Sequence, residues 1–69
     1  MKAGKDLRVG DVIKTWWRPG RDRIRRLTPY RGPLLPVLGQ GTQLAEFDLN
    51  RTGMTLVAEE LYELANLED

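Results

Sequence analysis

The sequence predicts a mainly β protein: a small open barrel of about five short antiparallel strands in a single domain over residues 1–69. Three observations carry this expectation. Short stretches in which apolar and polar residues alternate recur along the chain, as in "DVIKTWWR" and "TQLAEFDL". Gly, Pro, Asn and Asp clusters punctuate those stretches as turns do. The chain has 69 residues and no cysteine, so one small apolar core must hold it without disulfides. A chain of this size buries only about 60% of its unfolded surface, and every apolar residue counts.

Residues 1–5 read as a loose, basic start. In "DLRVGDVI" (6–13), Leu7 and Val9 precede a Gly10-Asp11 break, where glycine supplies a positive φ or close packing as the chain turns into a strand. The first strand is expected at about residues 11–18. Alternation sets Val12, Lys14 and Trp16 on one face and Ile13, Thr15 and Trp17 on the other. The second set is the more apolar, so Ile13 and Trp17 face the core, and Trp16 lies outside beside Lys14 and Arg18. Arg18-Pro19-Gly20-Arg21 predicts a type II turn, with proline at i+1 and glycine at i+2. The second strand is expected at about residues 22–28. Ile24-Arg25-Arg26-Leu27 breaks its alternation, which calls either for a bulge at Arg25-Arg26 or for one apolar residue facing out. Pro29 ends that strand or sits on an edge.

Residues 29–41 form a loop by their punctuation, with Leu34, Leu35, Val37 and Leu38 expected to cap one end of the core. The alternative is an exposed patch for a partner. The third strand is expected at 42–49, with Ala45, Phe47 and Leu49 on one face and Leu44, Glu46 and Asp48 on the other. Asn50-Arg51-Thr52-Gly53 reads as a turn. The C-terminal "MTLVAEELYELANLED" carries two patterns. Its composition favours a helix over residues 56–67, giving an α+β alternative. A strand at 54–57, a turn at 58–60 and a strand at 61–66 would instead complete the barrel and leave fewer open edges. The strands are preferred.

The lead-in Asp6-Leu7-Arg8-Val9-Gly10-Asp11-Val12-Ile13 resembles the start of the first strand in small SH3-like barrels, where a short approach turns through Gly-Asp into a strand. The likeness covers about a quarter of the chain. It implies an SH3-like open barrel and does not choose a function, because such barrels host nucleic-acid binders, peptide binders and structural modules. The whole chain also resembles the short proteins of bacteria and their phages.

Charge is divided unevenly. Residues 1–32 carry ten lysines and arginines against three aspartates, a net of +7; residues 33–69 carry Arg51 alone against seven acidic residues, a net of −6. Either the halves neutralise one another on folding, or the basic half meets an anionic partner. There is no apolar leader and no stretch of about 20 apolar residues, so a cytoplasmic protein with no membrane partner is expected.

Catalytic chemistry finds little to work with. Histidine, cysteine and serine are all missing, which removes the commonest bases, nucleophiles and zinc ligands. Gly39-Gln40-Gly41 lacks the lysine and helix of a phosphate-binding loop. Glu46 and Asp48 could hold a hard cation from one strand face, but a solvated face is the simpler reading, as it is for Glu59, Glu60 and Glu63. No enzyme activity, no cofactor and no metal site are expected.

"VIKTWWRPGRDRIRRLTPYR" (12–31) is the strongest candidate, with seven lysines or arginines and two adjacent tryptophans. Cations neutralise phosphates and aromatic rings stack on unpaired bases. The candidate nucleic-acid contacts are Lys14, Trp16, Arg18, Arg21, Arg23, Arg25, Arg26, Tyr30 and Arg31, and the partner would be DNA or RNA. The same patch would serve a protein-interaction module, meeting an acidic protein surface or the acidic half of another copy, since Trp and Arg are favoured at such interfaces. A phage-type inhibitor that occupies a host protein's nucleic-acid groove belongs to this second class. The structural alternative buries both indoles and pairs every arginine with the acidic half.

Overall fold

The computed structural model describes residues 1–66. Its strands are β1 (Lys2–Ala3), β2 (Val12–Lys14), β3 (Arg21–Pro29), β4 (Gln43–Phe47), β5 (Met54–Leu56) and β6 (Leu61–Tyr62). A 3-10 turn covers Gly4–Asp6, and a four-residue helix, α1, covers Leu35–Leu38. The fold is mainly β, as expected. An antiparallel four-stranded half-barrel in the order β2-β3-β4-β5 is joined by a two-stranded β1-β6 sheet.

The long strand β3 organises the barrel. Its first residues pair with β2 (Val12↔Arg23, Lys14↔Arg21), and the rest pair with β4 (Ile24↔Phe47, Arg26↔Glu46, Leu27↔Ala45). The register slips by one residue between Ile24 and Arg26, so of the two alternatives left for Arg25-Arg26 the irregular register is the one that forms. It resolves the broken alternation: Ile24 is buried before it, Leu27 is half-buried after it, and both arginines face out. The core is Leu7, Ile13, Ile24, Ala45, Phe47 and Leu56, with Trp17, Leu27, Met54 and Tyr62 packed around it.

The helix alternative for residues 56–67 is not what forms over the described part of that range. After β5 the chain turns, pairs as β6 with β1, and continues along the free edge of β2. There the Lys14 N–H donates to the Glu63 carbonyl (2.9 Å) and the Ala65 N–H to the Val12 carbonyl (2.8 Å). Covering an open edge satisfies backbone groups that an isolated helix would leave on β2. Thus tertiary pairing overrides the helix propensity of "AEELYELAN".

Three further expectations are corrected. Strand three stops at Phe47 rather than reaching residue 49, and Leu49 is 62% exposed instead of core-facing. Only half of the apolar loop turns inward: α1 places Leu35 and Leu38 half-buried on one side and leaves Leu34 and Val37 exposed on the other, as the helical i, i+3 spacing requires. The first strand ends at Lys14 rather than residue 18, with consequences for the tryptophans described below. Gly10 has φ +99°, the positive value expected of the lead-in.

Candidate functional site

The β2–β3 connection is closed by a bond that extends the strand register by one pair and by bonds local to the loop. The Thr15 N–H donates to the Gly20 carbonyl (2.9 Å), and the Gly20 N–H donates to the Trp17 carbonyl (2.7 Å). The Thr15 hydroxyl also donates to the Trp17 carbonyl (3.1 Å), a local bond of the kind that draws a chain out of a ladder. The Arg18–Pro19 peptide bond is cis, and proline is the third residue of the turn at 17–20. The Gly20–Trp17 bond closes the turn at 17–20, one residue earlier than the 18–21 expected, so Pro19 stands third and not second in it. Trp16, Trp17 and Arg18 belong to a loop, residues 15–20, rather than to a strand.

The two indoles nevertheless part as alternation suggested. Trp17 turns inward and meets Phe47 edge-on, with centroids 5.0 Å apart at 68°. Trp16 is 84% exposed and stands at 87° to Trp17, with centroids 5.4 Å apart. A chain of edge-to-face contacts, each worth about 0.5–1.5 kcal/mol beyond area burial, thus runs from the core to a ring in solvent.

Asp22 holds this arrangement and was missed as more than a charge. It is 1% exposed. Its carboxylate accepts the Trp17 Nε1–H (3.0 Å) and the backbone N–H groups of Arg23 (2.8 Å), Leu49 (3.1 Å) and Asn50 (3.0 Å). A buried carboxylate is tolerated only when its acceptors are filled, and here four donors do so. Asp22 sits opposite Ile13 in register and shares the inward face with Ile24. An acid at an inward-facing position is the signal that alternation carried, because such an acid needs partners. The bonds tie loop 15–20 to the turn after β4, where the end of that strand leaves Leu49 exposed.

The cations fall into groups. Lys14 pairs with Glu63 (2.6 Å), Arg23 with Asp48 (2.8 Å) and Arg26 with Glu46 (3.6 Å). Lys14's hydrogen bond and charge hold the Glu63 carboxyl below the ordinary range. Arg21 is half-buried and lies opposite Lys14. Arg18, Arg25 and Arg31 are exposed and make no ion pair with any described residue. Tyr30 and Arg31 stand apart. Nine residues of β3, roughly 30 Å of strand, separate them from loop 15–20 in a molecule whose longest axis is 37 Å. Tyr30 folds over its own turn, its hydroxyl accepting the Leu34 N–H at 3.4 Å. Lys14, Trp16, Arg18, Arg21, Arg23, Arg25 and Arg26 thus lie on β2, loop 15–20 and the first two-thirds of β3, and the last two candidates lie at the other end of β3.

An open depression of about 520 Å³ adjoins the hairpin, lined by Lys14, Gly20, Arg21 and residues 63–66. Glu46 and Asp48, weighed above as cation ligands, are each engaged by an arginine of β3. No cluster of three metal-ligating side chains occurs among the described residues. Comparison with protein-family models, curated proteins and solved structures finds no match to this chain. The class that fold and surface define is a small open β half-barrel with a basic, aromatic loop on its rim.

Proposed function

We propose that the chain is a non-catalytic module that grips nucleic-acid backbones through loop 15–20 and the outer face of β3. Lys14, Arg18, Arg21, Arg23, Arg25 and Arg26 would meet phosphates, Trp16 would meet a base or sugar, and Tyr30 and Arg31 would form a separate distal contact. The observation that carries this reading is the Trp16 ring. In a chain short of core material, a large apolar side chain stands 84% exposed on a built support, two residues from an arginine with no ion pair to any described residue. The ion pairs on Lys14, Arg23 and Arg26 do not block the role. Exposed pairs contribute only about 0–1 kcal/mol, so a phosphate can replace the carboxylate. The likeness of the lead-in to SH3-like barrels adds a scaffold known to accommodate such binders, and nothing more specific.

The test is anisotropy of a labelled oligonucleotide at low and moderate salt. Affinity should fall with a log–log slope of about −4 to −5, as six phosphate contacts require. Arg18→Glu/Arg25→Glu should weaken binding at least about tenfold, since charge reversal there adds repulsion without breaking an ion pair seen among the described residues. Absence of binding at low salt sinks the proposal. The exposed Leu49 favours the competing reading, an interface for an acidic protein surface or a second copy. A dimer by sedimentation together with no oligonucleotide binding would select it.

A further inference from the structure

We infer that the strand this face takes is single, with an unpaired base stacked on Trp16; the inference rests on the nucleic-acid reading above. The face offers two kinds of contact. Of the seven cations in residues 12–31, Lys14, Arg23 and Arg26 hold carboxylates in exposed pairs that a phosphate can displace, and Arg31 lies at the far end of β3. Arg18 and Arg25 are exposed and make no ion pair with any described residue. A duplex offers its phosphates to these cations and keeps its bases stacked inside, so it has no use for the exposed ring. A single strand offers both phosphates and π-faces, and a ring in solvent adds a contact that a duplex cannot use without being opened.

The ring is also prepared for that contact. Trp16 meets Trp17 at 87°, so the neighbouring indole props it without lying parallel to it as a base would. Trp17 is itself fixed on both sides, by Phe47 and by the buried carboxylate of Asp22. A ring held this way loses little freedom when a base arrives, which favours binding. Arg18, in the same loop, is placed to neutralise the phosphate beside the stacked nucleotide, and Arg25, which faces out at the bulge, one further along. Base and phosphate are common to DNA and RNA, so the chemistry is that of single-stranded nucleic acid.

The experiment is an anisotropy titration of labelled oligo(dT), oligo(U) and a duplex of mixed sequence, each at the same low salt, with the full chain and the variants Trp16→Ala, Trp16→Phe and Arg18→Glu. The single strands should bind at least about tenfold more tightly than the duplex. Trp16→Ala should weaken single-strand binding by about 5- to 150-fold, the range of one lost base stack, and leave duplex binding nearly unchanged. Trp16→Phe should recover part of the loss, which separates a stacking role from an unfolding effect. Oligo(dT) and oligo(U) should differ little, because nothing here reads the 2′-hydroxyl. Equal affinity for duplex and single strand, with Trp16→Ala indifferent, overturns this inference and leaves backbone binding standing. No binding by any of the three overturns both.

Discussion

At the scale of single residues, Asp22 does more for this structure than any other polar side chain described. Its two oxygens accept the indole N–H of Trp17 in loop 15–20, the N–H of Arg23 next to it in β3 and the N–H groups of Leu49 and Asn50 in the turn after β4. Asp22→Ala would leave several buried donors without acceptors. The expected loss is on the order of 3 kcal/mol, against a total of roughly 3–10 kcal/mol for a domain of this length. Urea denaturation should show the midpoint of the variant well below that of the parent, with Asp22→Asn between them. Trp17 fluorescence should shift toward that of a solvated indole. Residue-level reading of the sequence went far here. The opposite fates of Trp16 and Trp17 match the alternation counted from Ile13, although both rings stand in loop 15–20 and Phe47 and Asp22 hold Trp17 inward. The hub at Asp22 was not legible, because its partners Leu49 and Asn50 lie 27 and 28 residues away.

Among the elements, the β4–β5 hairpin is a joint sensitive to a small change. Asn50 Oδ1 accepts the Thr52 hydroxyl (2.7 Å) and the N–H groups of Thr52 and Gly53 (3.2 Å each), closing the turn foreseen at 50–53. Gly53 has φ +78°, and a Cβ there would collide with the Ala45 carbonyl oxygen across the hairpin. Gly53→Ala should therefore lower stability by at least about 1–2 kcal/mol, seen as a lower denaturation midpoint at unchanged m. The element boundaries show what local pattern can and cannot carry. The bulge at Arg25 was readable from Ile24-Arg25-Arg26-Leu27, because two arginines between apolar residues break a period of two. The early end of the first strand was not readable, since it depends on Trp17 being drawn toward Phe47 and Asp22. The C-terminal segment is the clearest case. Its composition suits a helix, and only the uncovered edge of β2 makes it extended.

At the scale of the whole molecule, the charge asymmetry of the sequence is partly folded against itself. Lys5–Glu59, Lys14–Glu63, Arg23–Asp48 and Arg26–Glu46 each join the basic half to the acidic half. Glu63, Lys5 and Tyr62 set the pH response. Glu63 is lowered by Lys14, so its contribution is complete above the ordinary glutamate value and is lost as pH falls through the lowered one. Tyr62 is raised, chiefly by burial, although the Val57 N–H it accepts pulls the other way. Lys5 is raised by its hydrogen bond and charge contact with Glu59. Both contributions are complete below pH about 10 and decline as pH rises through the raised values. With no histidine in the chain, the melting temperature should be flat between about pH 6 and 9 and fall at both ends. A transition near neutrality in a pH series of thermal melts would contradict this. The amino-acid order alone fixed the β class, the positive φ at Gly10 and the break in alternation at Arg25-Arg26, because each follows from backbone chemistry or from a period counted over a few residues. Only the tertiary structure decided which cations are spent on carboxylates, where Tyr30 and Arg31 lie relative to Trp16, and that the last segment is a strand. Those outcomes depend on contacts between residues far apart in the chain, and no local pattern records which distant neighbour arrives.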